Sequence, residues 1–369
     1  MKCILLREHL NNALSIVEKS LGTTEIMPVL KNILIKARGG KIQLVATNLE
    51  TALVAIIPGK IEEEGEIAVL GSLLFQVINN IKDEKIEFVT KDNQLQIHTD
   101  MFQGELVTVS PSDFPLIPKV KETTYVEVEA KQFKKGIDIV FLAISFNTIR
   151  PELNGMYLSM QSGSKKLILA GSDGFRLAEK QVDVLKSEVE SISCIIPAKT
   201  LQLLGRMLDT SPTGVVKIVL EAHQSVFILD GFVLISNLVD GTYPAYESFV
   251  PKEFETEVLV SKSGLTDAVR LSSIFSSKLN DITMHIAPSE GVVKIKSSNT
   301  TFGSGEINVS GQIKGIEQFL RMNARYIQDG IKAIDDANLK VSIVSGEKPI
   351  KIESLIDKSA YYIVMPIKI

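Results

Sequence analysis

The stretch LILAGSDGFRLAEK, residues 167–180, places Asp173 and Arg176 three positions apart around a glycine, directly after an apolar strand pattern. A carboxylate and a guanidinium at that spacing can act as an acid and an anion clamp on a small ligand, or can close a turn by pairing with each other. No nucleophile–base pair stands nearby in sequence. The four histidines, His9, His98, His223 and His285, are scattered singly, and no HExxH, GxxxxGK or GxGxxG segment occurs. Metal and nucleotide chemistry therefore lack their usual residues, and neither a metal nor a cofactor is expected. Cys3 and Cys194 lie far apart without CxxC spacing, which fits free thiols in a reducing compartment better than a disulfide framework.

What positions Asp173 and Arg176 is a repeated unit. A chain of 369 residues, 45% hydrophobic and 23% charged, reads as folded and of two or three domains. Its N-terminal MKCILLREHL lacks a signal-peptide pattern and no 18-residue apolar run occurs, so a cytoplasmic protein without a membrane partner is expected. Along the chain a short strand, an amphipathic helix and several alternating strands recur six times. The helical windows are 7–19, 72–82, 131–144, 198–209, 262–278 and 324–335. Pairs of copies make three domains, separated by the proline-bearing joints SPSDFPLIPKVKETT and DGTYPAYESFVPKEFET. Each helix must bury its stripe on a sheet, which gives an α+β layer arrangement.

The net charge of −4 argues against simple coating of nucleic acid. Its distribution says more: the six helical windows hold 13 Lys/Arg against 7 Asp/Glu, and the rest of the chain 27 against 37. Basic helices on acidic sheets present one face to phosphates, although the same lysines and arginines also serve to solubilise helix faces. The helices carry no interleaved exposed aromatics for base stacking, so contact with nucleic acid would be to the backbone and insensitive to sequence.

Several segments, in order and along essentially the whole chain, resemble the bacterial DNA polymerase III beta subunit family of ring-shaped sliding clamps. They are TNLET (47–51), SDFP (112–115), LNGM (153–156), GSDGFRLA (171–178), RMLD (206–209), LVDGTYPAY (238–246) and YYIVMPIKI at the end of the sequence. The resemblance implies three repeated DNA-clamp domains, 1–124, 125–253 and 254–369, in a head-to-tail homodimer that closes a six-domain ring around duplex DNA. It implies a non-catalytic processivity factor that partners the replicative polymerase alpha subunit, the clamp-loader delta subunit and other proteins with clamp-binding motifs.

Carried over residue by residue, the resemblance implies a partner-peptide pocket of Leu153, Ser172, Gly174, Phe175, Arg176, Leu177, Pro244, Ser248, Phe249, Pro349, Ile363, Val364, Met365, Pro366, Ile367 and Lys368. Leu177, Val364 and Met365 would form its floor. It also implies DNA-facing Lys131, Lys134, Lys135, Arg150, Lys199, Arg206, Arg270, Arg325 and Lys332, and a dimer interface of Leu106 with Ile274 and Phe275. Phe175, Ser248 and Pro349 stand where the family has histidine, arginine and serine, which makes the pocket more apolar. Thr24 replaces a familiar arginine, and Pro151-Glu152 a tyrosine pair. The competing reading keeps Asp173 and Arg176 as acid and anion clamp of an enzyme or small-ligand site in the same pocket.

Overall fold

The computed structural model describes every residue except Thr24, Glu25, Lys119, Lys121, Asn147, Thr148, Ser211, Pro212, Thr213 and Ile369. Thr24, singled out above, therefore lies outside the described residues. The order strand, helix, three strands occurs six times, with one further strand, Gly59–Glu63, after the first copy. The helices are α1 (Arg7–Val17), α2 (Gly71–Asn80), α3 (Ala130–Phe141), α4 (Ala198–Thr210), α5 (Lys262–Ser273) and α6 (Ala324–Ala333). Each coincides with a window read from the sequence, α2 and α3 starting one residue before theirs and α4 ending one residue past, and buries an apolar stripe, as with Leu10, Leu14 and Val17 in α1 or Ile327 and Ile331 in α6.

Helix ends differ from the reading. α5 stops at Ser273, because its last turn tightens: Ile274 N–H donates to the Leu271 carbonyl at 3.3 Å and Phe275 N–H to the Ser272 carbonyl at 3.1 Å. Ile274 and Phe275, expected late in the helix, thus sit in the turn beyond it.

The chain divides into two compact units, one of Met1–Lys134, Val184–Glu190 and Lys199–Leu238, the other of Lys135–Asp183, Ser191–Ala198 and Val239–Ile369. In the first, the strand that leads the first copy, Lys2–Leu6, pairs with Lys85–Lys91 of the second copy. The second copy's leading strand, Gly65–Leu70, pairs in turn with Asn32–Arg38 of the first. This exchange makes neither copy complete alone. The same unit pairs Tyr125–Glu129, which leads the third copy, with Val215–Leu220 of the fourth. It also joins Thr51–Ile57 to Phe232–Asn237.

The second unit repeats the exchange. Ile192–Pro197, which leads the fourth copy, pairs with Gly155–Met160 of the third. Thr256–Ser261 pairs with Asn338–Ile343, and Gln318–Asn323 with Asp281–Ala287, which interlocks the fifth and sixth copies. A seam then joins two pairs of copies: Arg176–Ser187 runs antiparallel to Ala360–Val364, from Arg176↔Val364 to Lys180↔Ala360. On its other edge Ala360–Val364 pairs with Ile350–Ser354. Tyr362, in the middle of that strand, is fully buried. α6 lies close over it because residue 330 is glycine: a Cβ there would stand 2.8 Å from the Tyr362 ring.

Both cysteines are free. Burial pushes the Cys3 thiol up to about 11 and the Cys194 thiol up to about 12. Among the described residues, no helix is long and apolar enough to cross a membrane, and no cluster of three His, Cys, Asp or Glu could hold a metal ion.

Candidate peptide-docking groove

At the Arg176/Val364 end of the seam the chain opens a groove of about 880 Å³. One wall is the turn that links Lys166–Ser172 to Arg176–Ser187. Gly174 adopts φ of 90°, a value L side chains rarely take, so glycine suits the turn. Asp173 closes it: its Oδ1 accepts from Phe175 N–H at 2.9 Å and Arg176 N–H at 3.0 Å, and its Oδ2 accepts from Arg176 Nε at 2.9 Å. Arg176 also donates to Asp329 and to the Tyr362 hydroxyl, and stacks 4.4 Å over the Tyr326 ring. The close approach permitted by Gly330 carries Asp329 to this contact. Burial, the largest single influence on Arg176, disfavours its charge; its surroundings, Tyr362, Asp173 and Asp329, outweigh that and hold it protonated.

Asp173 and Arg176 are therefore committed to the turn. Both side chains are only 15% exposed, and each is held by several bonds within the protein. A general acid or an anion clamp would have to abandon those bonds, which argues against the enzyme or small-ligand reading.

The floor is formed by Leu153, Leu177, Tyr243, Tyr246 and Ile363, which belong to one buried cluster with Ala170 and Ile195. Tyr157 and Tyr243 stack at 4.8 Å, and Tyr246 meets Tyr243 edge-on at 6.1 Å. Beneath them the hydroxyls of Tyr246 and Tyr361 both donate to Glu179 Oε2, at 2.8 and 2.7 Å. Burial first, then the Glu179 carboxylate, raise both tyrosines well above the ordinary phenol range.

Of the pocket residues implied by the resemblance, Leu153, Ser172, Gly174, Phe175, Arg176, Leu177, Pro244, Ser248, Phe249, Pro349, Ile363, Met365 and Lys368 line this groove. Val364, Pro366 and Ile367 do not. Side chains alternate along a strand, so Ile363 and Met365 reach the groove while Val364 between them is fully buried. Of the expected floor, Leu177 lies in the buried cluster, while Met365 lines the groove from its wall. The structure adds Arg150, Tyr243, Tyr246, Pro251, Lys252, Glu253, Val344, Glu347 and Lys348 to the lining. The sequence reading missed Tyr243 and Tyr246; the aromatic density of DGTYPAYESF within a proline-bearing joint is the signal that could have found them.

The candidate DNA-facing residues fall into two groups. Lys134 pairs with Asp209 at 3.1 Å, Lys135 with Asp335 at 3.0 Å, Lys199 with Glu50 at 3.8 Å and Arg270 with Asp267 at 3.3 Å. Lys131 on α3, Arg206 on α4, and Arg325 and Lys332 on α6 are exposed and have no carboxylate within 4.0 Å among the described residues. Arg150 lies on no helix: it lines the groove and pairs with Glu152 at 3.0 Å.

The three candidate interface residues differ in kind. Leu106 is 8% exposed and faces a core, so it offers little surface; its strand neighbour Val107, on the opposite face, is 80% exposed. Ile274 is 63% exposed, and the Phe275 ring packs over Gly305.

Six interlocked copies of one strand–helix–strands unit, arranged as pairs, define an α+β chain of repeated DNA-clamp domains. The chain belongs to the DNA polymerase III beta subunit family: its N-terminal, central and C-terminal domain models match residues 1–118, 127–245 and 247–368. Members of the family are sliding clamps, non-catalytic processivity factors of DNA polymerase III. The beta sliding clamp of Synechococcus elongatus is 24% identical across the whole of both chains, and that of Pseudomonas putida 25% identical over 98% of each. The Pseudomonas aeruginosa sliding clamp bound to griselimycin superposes with a TM-score of 0.94 at 25% identity, covering both chains completely. The Bacillus subtilis clamp gives 0.94 at 22% identity, covering 100% of this chain and 99% of that one.

Proposed function

We propose that two copies of this chain close head to tail into a six-domain ring around duplex DNA in the cytoplasm. The groove beside Phe175 then docks extended peptide segments of the replicative polymerase alpha subunit, the clamp-loader delta subunit and other clamp-binding proteins. The observation that carries the DNA reading is the set of exposed cations Lys131, Arg206, Arg325 and Lys332, each on a helix of the repeat and without a carboxylate partner among the described residues. A lining that slides needs diffuse attraction to phosphates, not base-specific bonds. The family match supports the same reading.

Two open strand edges support closure of the ring. Among the described residues, Gln103–Val109 has a partner on only one side over residues 103–107, and Gly303–Gly315 pairs only with Val292–Asn299 over residues 303–310. Exposed apolar side chains accompany each edge: Val107 on the first, and at the second the 70% exposed Phe302, which directly precedes Gly303, and Ile274, whose chain neighbour Phe275 packs its ring over Gly305. An open apolar edge invites pairing with another chain. We assign the domains to 1–124, 125–253 and 254–369, with the interface at Val107, Ile274 and Phe275 in place of Leu106.

The test is retention on nicked circular DNA after loading by a clamp loader. Linearising the circle should release the protein by sliding off the ends. Release governed by salt alone, with no dependence on circularity, would sink the ring.

A further inference from the structure

The polar side chains of the groove interior are engaged in bonds of their own or, in one case, covered from the groove. Ser172 Oγ donates to the Arg176 carbonyl at 2.7 Å and accepts from Gly174 N–H at 3.0 Å. Ser248 Oγ donates to the Ala245 carbonyl at 2.9 Å, and the Tyr246 hydroxyl to Glu179. Arg176 is held by Asp173 and Asp329; the Tyr243 hydroxyl has no hydrogen-bond partner among the described residues, but its oxygen is covered by protein and not presented to the groove. A group so engaged offers a ligand no bond without losing one of its own.

Free charges remain only at the rim. Lys252, Lys348 and Lys368 face solvent with Glu253 and Glu347, all without ion-pair partners among the described residues. These nearly balance, and exposed ion pairs discriminate little between ligands. What is left to select a partner is apolar surface, and its two largest exposed pieces are Phe175, 63% exposed, and Phe249, 71% exposed.

We propose that Phe175 and Phe249 are the specificity-determining residues of the groove, and that its partner is an extended peptide whose leading anchor is aromatic, not an amide or a cation. This rests on reading the groove as a peptide-docking site. An amide brought against two phenyl rings loses water and gains no hydrogen bond. A cation can stack on a ring face, but it sheds water that no free carboxylate of the groove interior replaces, and the rim, three lysines against two glutamates, supplies no net attraction. An aromatic anchor gains both buried area and ring-to-ring geometry, and Met365 in the same wall adds a sulfur–aromatic contact.

The experiment is fluorescence anisotropy with three labelled peptides that share a leucine–phenylalanine core and differ only in the leading residue: Trp, Gln or Arg. The Trp-led peptide should bind about tenfold tighter than the others. Phe175→Ala and Phe249→Ala should each shrink that gap below about threefold, chiefly by weakening the Trp-led peptide. Equal wild-type affinities, or a gap that survives both substitutions, overturn the inference. Leu177→Glu, in the floor, separates the two readings. If it abolishes binding while wild type shows no preference, the docking site stands and the specificity inference falls. If no peptide binds, or binding ignores Leu177→Glu, both fall.

Discussion

Met365 and Phe175 are joined backbone to backbone: Met365 N–H donates to the Phe175 carbonyl at 2.8 Å, one residue past the Arg176↔Val364 pair. The ladder that joins two pairs of copies thus runs out of the sheet into the wall of the groove. Ile367 N–H donates to the Arg321 carbonyl at 2.7 Å, and Pro366 between the two bonds is buried. The tail is a stitched wall, not a loose strand, and the groove inherits the rigidity of the seam.

Removing residues 365–369 deletes both hydrogen bonds and the Met365 side of the groove. Each bond contributes about 1 kcal/mol net, so urea denaturation should show a loss of about 2–3 kcal/mol. Peptide affinity should fall by about tenfold or more. The sedimentation profile should stay that of the proposed dimer, because neither open strand edge is touched. Appearance of monomers would show that the tail supports the interface.

Asp173→Ala tests whether that carboxylate is structural. It removes two backbone bonds and one charge-assisted bond to Arg176, and about 2–4 kcal/mol of stability should go with them. Asp173→Asn keeps the backbone acceptor and should lose about half as much. Loss of a catalysed turnover in a substrate screen, with stability unchanged, would revive the acid-and-clamp reading.

The repeat was legible because helical periodicity is local: Leu10, Leu14 and Val17, or Ile327 and Ile331, announce their faces within two turns. Strand exchange was not, since nothing in KCILL says that it will pair with residues 85–91 instead of its own copy. Such pairing is decided by packing across many tens of residues. Gly59–Glu63 went unread because its five residues are mostly exposed and carry no apolar alternation. The groove was visible through resemblance and not through chemistry. Its floor is ordinary core, and the aromatic residues Tyr243 and Tyr246 lie in a segment read as a joint. Asp173 and Arg176 looked reactive because a sequence does not show that Asp329, arriving from α6, already occupies the guanidinium.

Lys180 and Asp357 set an acid limit. Lys180 is 3% exposed in its side chain and bonds Asp357 at 3.0 Å. Burial opposes the Asp357 charge, but hydrogen bonds from Ser359 and Lys180 outweigh it and hold the carboxyl at about 2, below its ordinary 3.8. A depressed carboxyl contributes stability that is fully present above pH 3.8 and is lost as pH falls through about 2. Asp357→Asn should therefore lower the melting temperature at neutral pH and flatten its decline between pH 4 and 2. Because Asp357 is 40% exposed, solvent screening keeps the effect modest. An unchanged decline would assign the acid limit to other carboxylates.

The division between paired and free cations predicts opposite effects on DNA binding. Arg206 is exposed without a carboxylate partner among the described residues, so Arg206→Ala should weaken binding to linear duplex. It should also reduce the slope of log K against log salt by about 0.9, the share of one phosphate contact. Asp335 instead sequesters Lys135 at 3.0 Å, and its carboxyl is held below its ordinary range by the hydrogen bond from Lys135. Asp335→Asn frees that lysine and should tighten binding while steepening the slope by up to about the same amount. Removing both partners, Lys135→Ala with Asp335→Ala, deletes a neutral pair and should leave the slope where it was. Anisotropy between about 50 and 200 mM salt measures all three, and equal slopes in Arg206→Ala and Asp335→Asn would mean that neither helix faces the duplex.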